Sequence, residues 1–181
     1  MRTCWGSIMK RTHFIPVFSL LIIFFLTFPT LSLAGQFKIT RVCDGDTVKA
    51  KGHDIENMVR LVGIDAPETS RKKGEPGQPY SQKAKKYLAG LVLNKTVDIK
   101  GYGLDRYNRI LGVIYLNKLN INLEMVKTGL AEVYRGKPAR GFDNEPYLEA
   151  EKQAKDAKTG IWSLGDKYIS PKDWRKMQKG G

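Results

Sequence analysis

The chain has 181 residues, 41% apolar and 27% charged, and Lys plus Arg outnumber Asp plus Glu by 31 to 18 for a formal charge of +13. A globular chain of this length holds one domain and excludes a second with a core of its own. A surface this basic calls for an anionic partner, nucleic acid or anionic membrane, although surplus lysine also serves solubility.

Residues 1–34 have the parts of a secretory signal: the cations Arg2, Lys10 and Arg11, an apolar run from Phe14 to Phe28, and the small-residue site Ser32-Leu33-Ala34. Cleavage after Ala34 is expected, giving an exported protein, secreted or periplasmic. The alternative is a retained anchor, because no Lys, Arg, Asp or Glu occurs from Thr12 to Phe37. Pro16 and Pro29 bracket a run that is short for a membrane span. Loss of the leader lowers the formal charge from +13 to +10, so the imbalance belongs to the domain. Cys4 leaves with it, Cys43 stays as the sole thiol, and an internal disulfide is excluded.

From Gln36 to Val62, β-branched runs broken at Asp44-Gly45-Asp46 and at Lys51 to Asn57 predict three strands in a meander. Arg71 to Pro79 has no apolar residue and reads as a surface loop. Ala84, Tyr87, Leu88, Leu91 and Val92 then form one helical stripe. Strands follow at Thr96 to Lys100 and Arg109 to Tyr115, so five strands with an interposed helix suggest a small closed barrel. A short helix from Leu123 to Thr128 starts on Asn122 and stops at Gly129. Another from Pro146 to Lys158 has Asn144 as its cap and Gly160 as its terminator. Residues Leu164 to Gly181 are basic, and both a packed extension and a loose tail stay open.

Four carboxylates cluster at turns: Asp44 and Asp46 around Gly45, and Asp65 and Glu68 around Ala66-Pro67. Such groups suit a hard, oxygen-seeking cation, although Asp and Gly are also ordinary turn residues. Within a basic surface they would repel a nucleic-acid backbone unless a cation intervened, which a pure binding module would avoid. Arg60 lies five residues before Asp65, placed either for chemistry or for a structural salt bridge. After the leader only His53 and Cys43 are left as soft ligands, which excludes a His or Cys zinc site. No Gly-x-Ser-x-Gly elbow or Gly-rich phosphate loop is present, so a general base would be a carboxylate. Cys43 reads as a small buried apolar residue.

The segments Asp44-Gly45-Asp46-Thr47-Val48, Arg60-Leu61 with Asp65-Ala66-Pro67-Glu68-Thr69, and Asp105-Arg106-Tyr107-Asn108-Arg109 together resemble the staphylococcal nuclease, or thermonuclease, family. Gly129-Leu130-Ala131 and Gly160-Ile161-Trp162 extend the resemblance over about Phe37 to Ser163. It implies an OB-fold, a five-stranded β-barrel with about three α-helices, over residues 35–163, followed by a basic extension at 164–181. It also implies a calcium-dependent nuclease, endo- or exo-acting, that hydrolyses DNA and RNA phosphodiesters to 3′-phosphate products.

Residue by residue, the resemblance implies that Asp46, Asp65 and the backbone carbonyl of Ala66 hold Ca2+, with Asp44 close by as an outer ligand. Glu68 matches the general base, and Arg60 and Arg109 match the arginines that hold the phosphate. Tyr107 matches a phosphate contact and Tyr134 a base-pocket residue, with a core-aromatic reading equally open for both. The chain departs from the family at Ala66, often threonine, at Asn108, commonly glycine, and around Gly136, where the segment is shorter and a second tyrosine is missing. Nothing calls for a protein partner, and a monomer is expected; a membrane enters only with a retained leader. The competing class is a non-catalytic OB-fold module binding single strands through a basic groove and stacked aromatics. A membrane-binding domain would rest on little more than Lys83, Lys85 and Lys86.

Overall fold

The computed structural model describes Met1, residues 35–70, Lys72 and residues 74–178. The expected leader, residues 1–34, falls, Met1 apart, outside the described residues, and the described fold begins at Gly35. Three antiparallel strands open it, β1 (Gln36–Val42), β2 (Thr47–Gly52) and β3 (Ile55–Leu61). Ile39, Val42, Val48, Ala50, Val59 and Leu61 point inward and are buried, the alternation a one-faced sheet needs. The β1–β2 turn falls at Asp44-Gly45-Asp46 as the sequence indicates. The β2–β3 turn is tighter than the expected Lys51 to Asn57: Gly52 pairs with Ile55, leaving only His53 and Asp54 between, with His53 at φ 50°. Ladder pairing has drawn the flanking polar residues into the strands.

Two further strands complete the barrel. β5 (Thr96–Leu104) pairs antiparallel with β1 and with β6 (Ile110–Leu116). It runs past the expected end at Lys100 because Gly101 and Leu104 still find partners on β6, across an irregularity in register. β6 then pairs parallel with β3, Val59 opposite Ile110 and Leu61 opposite Gly112. This parallel seam closes the five-stranded barrel, and a short β7 (Leu119–Asn120) hangs on β6. The expected barrel is therefore present.

A two-stranded ladder stands apart from the barrel sheet: β4 (Ile64–Asp65) pairs with β8 (Glu132–Val133), Asp65 opposite Glu132. Helix α1 (Ser81–Val92) packs the expected Ala84, Leu88 and Val92 face against β1. Helix α2 (Ile121–Lys127) is capped by Asn120, whose Oδ1 accepts from Leu123 N at 3.0 Å, rather than by Asn122. Asn122 is fully buried instead: its Oδ1 accepts from Ile114 N at 3.1 Å and its Nδ2 donates to Val62 O and Gly112 O, each at 3.0 Å. A polar side chain this buried persists only when its hydrogen bonds are made.

Helix α3 (Glu145–Asp156) lies against α2 and buries Tyr147, Ala150, Glu151 and Ala154. Glu151 Oε1 accepts from Val133 N at 2.8 Å and Oε2 pairs with Lys155 at 2.8 Å and with Arg135. Helix α3 thus holds β8, and β8 holds the strand that carries Asp65. Gly129, before this helix, and Gly160, after it, touch backbone to backbone: a Cβ on Gly160 would lie 2.1 Å from Gly129 O.

About three α-helices were expected, and the described residues contain four, besides a 3-10 segment at Gly160–Lys167. The fourth, α4 (Pro171–Met177), lies in the basic extension and settles it as packed. Ser170 caps it by accepting from Asp173 N at 3.0 Å. Gln78 Nε2 donates to Ile169 O at 2.7 Å, and Tyr168 OH donates to Glu132 Oε2 at 2.5 Å.

Replacing Asn122 with alanine would take the side-chain partner from the buried Val62 carbonyl and the Ile114 N–H, each costing roughly 1–3 kcal/mol if left unsatisfied, while Gly112 O keeps the Val62 N–H at 2.9 Å. Urea unfolding of Asn122→Ala should therefore show a loss of about 3 kcal/mol at unchanged m. A loss below the roughly 0.5 kcal/mol typical of surface changes would show that the barrel does not depend on this bridge.

Candidate active site

The β1–β2 turn delivers Asp46, and a side chain that is almost wholly buried there must find donors. Its Oδ1 accepts from Thr47 Oγ1 at 2.8 Å and from Arg60 Nη1 at 3.0 Å, and its Oδ2 accepts from Ala66 N at 3.1 Å. Gly45 makes this approach sterically feasible: a Cβ there would fall 2.7 Å from Ala66 Cβ and 2.8 Å from Ala84 Cβ. β2–β3 pairing sets Thr47 opposite Arg60, which brings the guanidinium to the same place. Arg60 Nη2 donates to Asp65 Oδ1 at 2.8 Å, so one arginine bridges both buried aspartates.

A second arginine, absent from the sequence expectation, completes the cluster. Arg175 on α4 grips Asp65 with two bonds, Nη1 to Oδ1 at 2.9 Å and Nη2 to Oδ2 at 2.6 Å. Its Nη1 also donates to Glu68 Oε1 at 2.5 Å. Glu68 sits on a loop held from below by Gln78, whose Oε1 accepts from Glu68 N at 3.0 Å while its own N donates to Glu68 O at 2.9 Å. The sequence did contain a sign of this helix: Ser170-Pro171-Lys172-Asp173 has a cap, a proline at the first helical position and an acid in the first turn.

Charge governs this cluster. Burial works against the Arg60 cation, but Asp46 and Asp65 outweigh it and hold the guanidinium charged well beyond the ordinary arginine range. The bonds to Asp65 and Glu68 do the same for Arg175 against partial burial. Asp44 goes the other way: burial first, and then the nearby Asp46 and Glu68, push its carboxyl up to about 7. Its Oδ1 accepts from Asp46 N at 3.0 Å, and no cation among the described residues lies within ion-pair distance of it. Nor are three His, Cys, Asp or Glu side chains gathered among the described residues as a ready coordination shell; Asp46 Oδ1 and both Asp65 oxygens are turned to arginines and Asp46 Oδ2 to Ala66 N.

Arg109 stands at the start of β6, positioned by the turn before it. Asp105 Oδ2 accepts from Arg109 Nε at 2.8 Å, and Asp105 Oδ1 accepts from the N–H groups of Tyr107 and Arg109 at 2.8 and 3.0 Å. Asn108 takes φ 58°, the left-handed conformation that glycine or asparagine tolerates. Arg106 and Arg109 lie 4.9 and 5.4 Å from the Tyr107 ring centroid. Tyr107 is 63% exposed and Tyr134 44%, which removes the core-aromatic reading of both.

One open cavity of about 1240 Å³ is lined by Asp44, Arg60, Glu68, Tyr107, Arg109 and Tyr134, with Arg175 on its wall. Asp46, Asp65 and Ala66 are buried and do not line it; the arginines that bind the two aspartates do. Guanidiniums so placed can grip a phosphate with paired N–H groups, and Glu68 faces the same space as a candidate base.

A small closed barrel with helices on one side and a cationic cleft over buried carboxylates defines an OB-type protein equipped for a phosphate-bearing ligand. The family model described as Staphylococcal nuclease homologue matches residues 58–164, and the chain belongs to that family. It is 37% identical over 163 residues to a Haemophilus influenzae protein named as an uncharacterized endonuclease, covering 89% of this chain and 84% of that protein. It is 38% identical over 127 residues to the probable endonuclease LCL3 of Komagataella phaffii, covering 67% of this chain and 55% of that one. The Debaryomyces hansenii protein of the same name is 33% identical over 172 residues, with 80% and 73% covered.

The bonds from Arg109 and from two backbone N–H groups hold the Asp105 carboxyl below the usual aspartate range, against the opposing effect of burial. A lowered folded-state value stabilises the native protein above the unfolded aspartate range, and that contribution is lost as pH falls through the folded value. Asp105→Asn should therefore unfold more easily than the parent at pH 7, with the gap closing in acid. Chemical denaturation of both proteins between pH 7 and pH 3 checks this, and a gap independent of pH would refute the ionic role of Asp105.

Proposed function

We propose that this chain is a calcium-dependent nuclease that hydrolyses phosphodiester bonds of DNA and RNA and leaves 3′-phosphate ends. The observation that carries the reading is Arg60: it bridges the buried Asp46 and Asp65 while lining one cavity with Glu68 and Arg109. Membership of a family whose relatives are named endonucleases supports the same reaction class.

The donor set fits calcium. Asp46, Asp65 and the Ala66 carbonyl would hold the ion, with Asp44 as an outer ligand, and all of these are hard oxygen donors. Burial first, and then Asp46 and Glu68, push the Asp44 carboxyl up to about 7, and a nearby cation would favour its charged form. A bound calcium supplies Lewis-acid polarisation of the phosphodiester and offsets its charge.

The chain's own residues do the remaining work. Arg60 and Arg109 bind the phosphate oxygens and stabilise the charge that gathers on them as a fifth oxygen approaches phosphorus. Glu68 takes the proton from the attacking water, whose oxygen bonds to phosphorus. The bond to the 5′ oxygen breaks, that oxygen takes a proton from solvent, and the phosphate stays on the 3′ side. Tyr107 and Tyr134, exposed at the cavity mouth, offer their faces to the nucleotide. Export through residues 1–34 belongs to this proposal, since extracellular calcium sites work with dissociation constants of about 10⁻⁴ to 10⁻³ M.

Purified protein should cut single-stranded DNA with calcium and stop with a calcium-specific chelator. Binding without cleavage under calcium, magnesium or manganese would establish a non-catalytic OB-fold module instead. Glu68→Gln should lower turnover about 10²- to 10⁴-fold and Arg109→Gln about 10²- to 10³-fold, both in proteins that remain folded at the assay temperature. A rate within twofold of the parent would remove that residue from the mechanism. Affinity for DNA should also fall steeply with salt, and a flat dependence would contradict an electrostatic track.

A further inference from the structure

Arg175 is joined to the same carboxylates that the proposed chemistry needs. Both Asp65 oxygens accept its N–H groups, at 2.9 and 2.6 Å, and Oδ1 accepts from Arg60 as well. The Arg175 Nη1 that reaches Asp65 also reaches Glu68 at 2.5 Å. A guanidinium engaged with both groups occupies the donor directions that a divalent ion at Asp65 would use, and an ion joining Arg60 and Arg175 on that one carboxylate would meet the repulsion of both.

We propose that α4 carries a tethered counter-cation: Arg175 and a divalent ion compete for Asp65 and Glu68, so that loading the ion undocks the C-terminal helix. The inference rests on the reading of Asp65 as a calcium ligand.

The anatomy of α4 suits this exchange. It has seven residues, too few to be stable as an isolated helix, so its position depends on what it touches. Pro171 is its buried residue, Ser170 caps it within its own first turn, and the Arg175 side chain remains 35% exposed. Just before it, Gln78 holds the Ile169 carbonyl, fixing where the segment departs from the body. Beyond that point Arg175 supplies the strong polar contacts between α4 and the body. A segment this short, pinned at one end and held beyond it by Pro171, Trp174 and one charged side chain, can open locally without disturbing the barrel. Lys172, Trp174 and Lys176 line the same cavity, so its undocking also widens the approach to Arg60 and Arg109.

Competition is read from calcium binding alone, by calorimetric titration of the full chain, its Arg175→Gln variant and its Lys176→Gln variant. Lys176 pairs with Asp173 on its own helix and not with Asp65, so its variant removes the same charge without releasing the carboxylate. Arg175→Gln should bind calcium about tenfold more tightly than the parent, and Lys176→Gln should stay within about twofold. Equal or weaker binding by Arg175→Gln, the same gain in both variants, or no calcium binding by any of them would overturn the proposal. In the unmodified chain, saturating calcium should speed amide exchange of residues 172–177 by about tenfold, the counterpart of the same linkage. Unchanged protection there would overturn it even if the variant failed to fold. Neither readout involves cleavage: competition in a protein that does not cut DNA would keep this inference and sink the nuclease reading. Calcium-dependent cutting with unaltered calcium affinity in Arg175→Gln would do the reverse.

Discussion

The parallel seam between β3 and β6 is the constraint on which the rest depends. It is the pairing that turns a curled sheet into a closed barrel, and it joins strands far apart in sequence. Because Val59 lies opposite Ile110 and Arg60 opposite Leu111, Arg109, the residue just before β6, stands two positions from Arg60 along the seam. Parallel pairing needs a long crossover, and here the crossover contains β4, the Glu68 loop, α1 and β5. The segment that must be long for topological reasons is thus the segment that supplies Asp65 and Glu68. Asn122 reinforces the seam from behind, tying the chain after β3 to β6 through Val62, Gly112 and Ile114.

Electrostatics is the second organising force. Asp46 and Asp65 are buried on a barrel whose surface is strongly basic, and a buried carboxylate persists only when paired. Arg60 satisfies both with one planar fork, a geometry that lysine would not reproduce. Support then radiates outward: Glu151 holds β8, β8 holds Asp65, and Gln78 holds both the Glu68 loop and the start of the C-terminal helix. The cleft is shaped by residues that never line it.

Much of this was legible in the sequence, and what was not has a physical reason. The strands of the barrel and the face of α1 follow from period-two and period-three-to-four burial, a local property. The Asp44 and Asp65 clusters could be read because short-range turn chemistry fixes them, and the resemblance pointed to Arg60 and Arg109. The role of Asn122 was misjudged because a cap and a buried bridge look alike in one dimension; Asn120, two residues earlier, makes the local bond. The hairpin at His53 and the far end of β5 were drawn too short because pairing extends strands beyond what polar residues suggest. Arg175 escaped because its partners lie more than a hundred positions away, although the cap and proline at Ser170-Pro171 announce the helix that bears it.

The contact between Gly129 and Gly160 has a consequence for how such a domain varies. Ile161 N donates to Gly129 O at 2.8 Å, and the two glycines face each other with no room for a Cβ on either. Backbone meets backbone, so no compensating side chain elsewhere could restore the fit once either position changes. The thirty residues between them, with β8, the Tyr134 loop and α3, form a circuit closed by this contact. Insertions and deletions within that circuit must therefore return the chain to this backbone contact.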